Sequence, residues 1–140
     1  MSRCNALLRR DERGAAVIEM AIALPVLVSM IYGIFTVGQL YEANAGIQHA
    51  LGEGARYGNL CLSMTSSGCT IPTDTQIATK VSSKLFGTRN GTFDPVAVNS
   101  TNASSGYKTI TVTYRQTMHF AFITGPTITL SRSKKVYLAQ

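Results

Sequence analysis

Few side chains in these 140 residues can do chemistry, and their spacing narrows what that chemistry could be. His49 and His119 stand seventy residues apart, and Cys4, Cys61 and Cys69 show none of the spacings that hold zinc, so no metal centre is expected. No P-loop, no G-x-S-x-G and no pair of carboxylates at acid–base spacing occurs. An enzyme is therefore the weak hypothesis, and no cofactor is expected. Two features remain. Cys61 and Cys69 bracket a polar loop, Leu62 to Gly68, and outside the cytoplasm such a pair should oxidise. Closing a loop of this size is worth about 2–3 kcal/mol in the chain-entropy model. Their spacing is not C-x-x-C, which argues against a catalytic dithiol. The second feature is Glu19, a carboxylate at the start of an apolar run, where its cost demands a partner or a role.

The run itself reads MAIALPVLVSMIYGIFTVGQLY from Met20 to Tyr41, without one formal charge. At about 1.5 Å per helical residue it spans about 33 Å, enough for the hydrocarbon core of a bilayer. Only 14% of the chain is charged, against about 25% in ordinary soluble domains. Arg3, Arg9, Arg10 and Arg13 precede the run; Glu42 and Glu53 follow it, with Arg56 the first basic residue beyond. That asymmetry puts the N-terminus in the cytoplasm and the remainder outside. Ala43-Asn44-Ala45 has the small-x-small form of a signal-peptide cleavage site, but the run exceeds the apolar length of such signals and Glu19 sits in its first turn.

Arg13-Gly14-Ala15-Ala16-Val17-Ile18-Glu19 resembles the processing site of the type IV prepilin superfamily, in which a basic leader ends in Gly and the fifth mature residue is Glu. The resemblance implies a cut by a prepilin peptidase between Gly14 and Ala15, discarding Cys4 with the leader. The new α-amine at Ala15 would lie one helical turn from Glu19, on the same face. Glu19 could pair with that amine, with the amine of an adjacent subunit, or simply reach water at headgroup depth. Ala23-Leu24-Pro25, the stretch Gly33 to Tyr41, and Ala55-Arg56-Tyr57 extend the likeness. Over residues 10 to 58 the chain resembles the TadE-like pseudopilins, minor pilin-like proteins of the tight-adherence (Flp) pilus system. Met20, where an aromatic is common, and Thr36, where many members carry an acid, depart from the pattern. Removing fourteen residues would leave 126, long for a major Flp pilin and short for the TadG type.

Beyond the run, apolar and small residues recur at helical spacing to about Leu60. Gly46, Ala50, Gly54 and Gly58 fall four apart and make a small-residue stripe. Each helical Gly costs about 0.8–1.0 kcal/mol relative to Ala, a cost offset where backbones approach closely. The stripe could pack against other pilin-like helices or against the chain's own sheet. Thr73 and Gln76 are spaced as a capping box for a second helix with Ile77, Val81 and Leu85 as its stripe and Gly87 as its stop. Asn90-Gly91 reads as a turn, Val96 and Val98 as a short strand, Ile110 to Tyr114 and Ile128 to Leu138 as alternating strands, and Phe120 to Pro126 as an apolar connection. The expected fold is α+β: a long N-terminal transmembrane helix continuing into the periplasm, a second short helix, and a three-stranded antiparallel sheet forming a pilin-like head. The expected divisions are 1–14 for a cleaved leader, 15–43 for the transmembrane helix and 44–140 for the head.

These residues favour a structural protein of the membrane: a minor pilin or pseudopilin, single-pass in the inner membrane, whose partners are the prepilin peptidase, other pilins and the inner-membrane assembly platform. The alternative is a pilin-like DNA-binding subunit of a DNA-uptake or type II secretion machine. Beyond the run the head carries nine Lys and Arg against four acids, a net of +5 that could attract phosphate, but the basic residues are scattered and no basic run is interleaved with aromatics, so nucleic acid is the weaker partner.

Overall fold

The computed structural model describes residues 2–66, 68–100, 104, 106–120 and 123–138, with side chains described from Gly14 onward except at 120 and 123. The side chains of the expected leader, Cys4 and the arginines among them, and residues 121–122 of the expected connection lie outside the described residues.

One helix, α1 (Ser2–Gly58), runs through the whole N-terminal portion. Pro25 lies inside it and cannot donate to the carbonyl one turn back, yet the helix continues. Ser29 and Thr36 donate their hydroxyls to the carbonyls of Pro25 and Tyr32 at 2.8 and 2.9 Å, so both polar side chains are satisfied within the helix. After α1 come β1 (Ser63–Thr65) and β2 (Gly68–Thr70), a small antiparallel hairpin. The disulfide Cys61–Cys69 ties it off with its Cα atoms 5.4 Å apart.

Helix α2 (Asp74–Ser82) starts on the expected capping box: Thr73 N–H donates to Gln76 Oε1 at 2.9 Å, and Gln76 N–H to Thr73 Oγ1 at 3.3 Å. It ends earlier than expected. The hydroxyls of Ser82 and Ser83 donate to the carbonyls of Thr79 and Lys80, and the backbone tightens to three-residue bonds at Lys84 and Leu85. Leu85 is thus past the helix rather than on it, and Gly87, at φ +89°, turns the chain against the backbone of Ala43.

The sheet is larger than the expected three strands. It has four: β3 (Gly91–Phe93), β4 (Ala97–Asn99), β5 (Tyr107–Phe120) and β6 (Ile123–Tyr137), all antiparallel. β6 pairs with β5 over its length, from Tyr107↔Tyr137 to Phe120↔Ile123. With that edge taken, β3 and β4 must share the other. Their pairings, Gly91↔Gln116 and Asn99↔Thr109, differ by one residue in register, and Pro95, which has no amide hydrogen, stands in the gap. Asn90-Gly91 therefore opens a strand. The expected connection at 120–126 is mostly strand as well, with Gly125 and Pro126 absorbed in an irregularity between Thr117 and His119.

One face of this sheet is covered by α1 and α2, and the core lies between. Ala43, Ile47, Ala50 and Leu51 of α1 meet Ile77 and Val81 of α2, Ile110, Val112 and Tyr114 of β5, and Val136 of β6.

Candidate functional site

Apart from the Cys61–Cys69 bridge, the functional features predicted from the sequence lie on α1, and the head divides that helix in two. From Gly14 to Phe35 every described side chain is exposed or half-buried. Ile22 is 66% exposed, and the residues around it are apolar on all sides of the helix. Water does not tolerate such a surface, which by length and hydropathy makes α1 a candidate membrane span. Cover begins at Thr36, 5% exposed, and Gln39, 8% exposed. Gln39, the last polar residue of the apolar run, is satisfied by the head: its Oε1 accepts from Asn90 Nδ2 at 2.6 Å. The described uncovered stretch, Gly14 to Phe35, is about 33 Å at the helical rise, long enough for one hydrocarbon thickness, and the head's cover begins at its C-terminal end.

Gly14 lies on the uncovered surface, and a Cβ there would meet nothing within 4 Å among the described residues. Ala15 and Glu19 follow on the same bare surface, four residues and about 6 Å of rise apart. That spacing puts the carboxylate within reach of a charge at position 15 or of a second helix laid alongside.

The small-residue stripe lies in the covered half, against the chain's own head. At Gly46 a Cβ would run into the backbone carbonyl of Phe86, at Gly54 into the Val81 side chain, and at Gly58 into that of Val136; Ala50 is fully buried. These glycines admit α2, the loop after it and β6 close to the axis of α1. Gly33 and Gly38, in contrast, face open space.

Among the described residues no group of three or more His, Cys, Asp or Glu could hold a metal. One cluster of charge escaped the sequence reading. Lys108, whose side chain is 10% exposed, donates from Nζ to Asp74 Oδ1 at 2.6 Å, and the Ser100 hydroxyl donates to Asp74 Oδ2. The hydrogen bond from Lys108, then that from Ser100, hold the Asp74 carboxyl below its ordinary value. Lys108 shares its inward register with Ile110, Val112 and Tyr114, and a lone Lys at the head of that alternation was the available signal. Burial pushes the Tyr114 hydroxyl up, with Glu42 adding to it. Both clusters fasten the head; neither opens onto a pocket with a nucleophile.

Gly14, Glu19 and the packed small residues Gly46, Ala50 and Gly54 fall within a single stretch of sequence similarity. Residues 14–56 match the family model for TadE-like proteins. The match begins at the residue on which the processing motif turns and ends two residues before α1 does. The TadE-like stretch therefore covers both halves of the helix, and the disulfide hairpin, α2 and the sheet lie outside it. No curated protein and no solved structure matches the chain.

Proposed function

We propose that this chain is a minor pilin or pseudopilin that inserts in the inner membrane through α1, is cut by a prepilin peptidase between Gly14 and Ala15, and is required for assembly of a Tad/Flp-type pilus. It carries out no reaction of its own. The TadE-like match supports association with a Tad pilus. The observation that carries the finer reading is the bare apolar surface of α1 over Gly14–Phe35, on which Gly14 meets no described side chain and Glu19 stands as a carboxylate among apolar residues. A pilin helix needs such a surface twice: against lipid before assembly and against sister helices afterwards.

In this reading the N-terminus is cytoplasmic and the pilin-like head lies outside, where the Cys61–Cys69 bridge persists. Cleavage creates an ammonium at Ala15. Glu19 then pairs with it or with that of a neighbouring subunit, offsetting the cost of a carboxylate at the membrane edge. The partners are the peptidase, other pilins and the inner-membrane platform.

Two experiments test this. Co-expression with a prepilin peptidase should give a mature N-terminus of Ala15-Ala16-Val17, and Gly14→Leu should block it; an uncut chain sinks the processing step. Glu19→Gln should leave cleavage and insertion intact but abolish surface pili. Loss of a pair worth about 1–2 kcal/mol weakens association about 5–30-fold. Piliation counted by electron microscopy, beside an immunoblot for mature size, reads both. Normal piliation with fully processed Glu19→Gln would remove the assembly role of Glu19.

A further inference from the structure

The β5–β6 hairpin runs alongside α1 in the direction of its N-terminus and does not stop where the head's cover of the helix begins. At one end, the Val136 side chain lies at Gly58 and Ile110 Cδ1 at Gly54. At the other, Asn90 bonds Gln39, and the next residue, Gly91, pairs with Gln116. Gln116 is therefore roughly level with Gln39. The pairing continues through Thr117↔Thr127 and His119↔Thr124 to Phe120↔Ile123. Four more residues of strand add about 13 Å, the rise of as many as about nine helical residues. The end of the hairpin thus reaches the level of the bare, apolar half of α1.

Its composition suits that level. From Gln116 to Ser131 the sequence has no Asp, Glu, Lys or Arg, and near the end it holds Met118, Phe120 and Ile123, with His119 as its one titratable residue. The hairpin's charges bound this stretch: Arg115, which pairs with Asp94 at 2.9 Å, and Arg132. Arg132 stands beside Tyr41, an aromatic 69% exposed, around a shallow concavity that Leu40, Asn44 and Leu130 also line. A cation and a tyrosine at one height, with apolar residues below them, is the order found at a membrane–water interface.

We propose that the end of the β5–β6 hairpin, Met118–Phe120 with Ile123–Thr124, rests in the outer interface of the bilayer beside α1 and gives the subunit a second membrane contact. This rests on α1 spanning the membrane. The depth is limited by the backbone. Inner-facing groups of the two strands pair with each other, but their outer edges have no strand beside them at this end, and hydrocarbon cannot satisfy them. The hairpin therefore stays among the headgroups and the first methylenes. Two contacts at one membrane surface fix the tilt and rotation of the head relative to the bilayer, which a single helix cannot do.

The chain contains no Trp, so single reporters are clean. Full-length Phe120→Trp, Ile123→Trp, Phe35→Trp on the bare helix and Tyr137→Trp at the far end of the hairpin are reconstituted in phosphatidylethanolamine–phosphatidylglycerol vesicles, with and without brominated acyl chains. Phe120→Trp and Ile123→Trp should show blue-shifted emission that is quenched by bromines near the headgroup and less by bromines near the bilayer centre. Phe35→Trp should be quenched and Tyr137→Trp should not. Water-like, unquenched emission at both 120 and 123 beside a quenched Phe35→Trp overturns the proposal while leaving the span intact. Blue-shifted but unquenched emission at those positions also overturns it, because a protein surface, such as a second copy, would then cover the hairpin. An unquenched Phe35→Trp removes the span, and this proposal with it.

Discussion

Ile22 and Ile47 sit on one unbroken helix, seven turns apart by the helical repeat of about 3.6 residues, and one is 66% exposed while the other is fully buried. The halves they represent are built differently. Before Thr36 the helix is apolar all round, so no face prefers the sheet over its surroundings. After it, Gln48, His49, Glu53 and Arg56 return to the outward side, and Ala43, Ile47, Ala50 and Leu51 make a single inward stripe. The glycines mark which side the head covers: those at 33, 38 and 52 face open space, those at 46, 54 and 58 are filled by the head. Hydrophobicity alone does not assign a helix to a core or to lipid. Its distribution around the axis does, because a core covers one side and a bilayer covers all of them.

The contrast can be broken most sharply at the two isoleucines. Ile47→Ala removes methyl groups from the packed centre between α1, α2 and β5 and should cost about 2–5 kcal/mol. Ile22→Ala should leave the stability of the head unchanged. Urea denaturation of the full chain in detergent, followed by the near-ultraviolet circular dichroism of the head's tyrosines, measures both. Equal losses would mean that the bare half also packs within the chain.

Glycine tests the same division with a smaller effect. At Gly54 a Cβ would collide with the methyl of Val81 and sit 3.3 Å from Ile110 Cδ1. Both are fully buried and β-branched, with few alternative rotamers. Overpacking of about 1–3 kcal/mol then opposes a gain of about 0.8–1.0 kcal/mol in helix propensity. Gly54→Ala should lose about 1 kcal/mol net, and Gly38→Ala should lose nothing in the same denaturation assay. If Gly54→Ala stabilises the head, α2 does not press on α1 as closely as this packing requires.

What was legible from sequence follows how local each signal is. The apolar run, the capping box at Thr73 and Gln76, and the Cys61–Cys69 pair are written in residues close together, and each forms as expected. Strands were missed or cut short where the signal is not local: Asn90-Gly91 reads as a turn, yet pairing with β5 makes it the start of β3. Leu62 to Gly68 is Ser, Thr and Gly-rich and reads as loop, yet the disulfide closes it into the β1–β2 hairpin. Gly125-Pro126 reads as a turn, yet pairing with β5 carries β6 through it. On the helix, the spacing of Gly14 and Glu19 suggested their roles, and both lie on its bare surface. Where the stripe of small residues packs was left open, because its partners, Phe86, Val81 and Val136, are distant in sequence. Lys108 was missed for a related reason: nothing beside it announces Asp74, thirty-four residues earlier.

That Asp74–Lys108 contact gives the smallest effect and a pH signature. It holds the first turn of α2 to β5, and α2 in turn covers Gly54. The hydrogen bonds from Lys108 and Ser100 depress the Asp74 carboxyl in the folded chain. A group whose pKa is lowered by folding stabilises the protein above its unfolded value, near 3.9 for Asp, and loses that contribution as pH falls through the folded value. The head should therefore lose stability below about pH 4. Because the Asp74 side chain is 43% exposed, water screens the pair, and Asp74→Asn at neutral pH should cost less than about 1 kcal/mol. Urea midpoints at pH 7 and pH 3 separate the causes. The Asn variant should start lower at pH 7 and fall less between the two, since the charge that would be titrated is already gone. Meanwhile a reporter on the bare half, such as Phe35→Trp in vesicles, should not respond to acid in this range. An acid-induced loss of equal size in Asp74→Asn and in the native chain would assign the acid limb to another carboxylate and leave α2 held by Ile77 and Val81 alone.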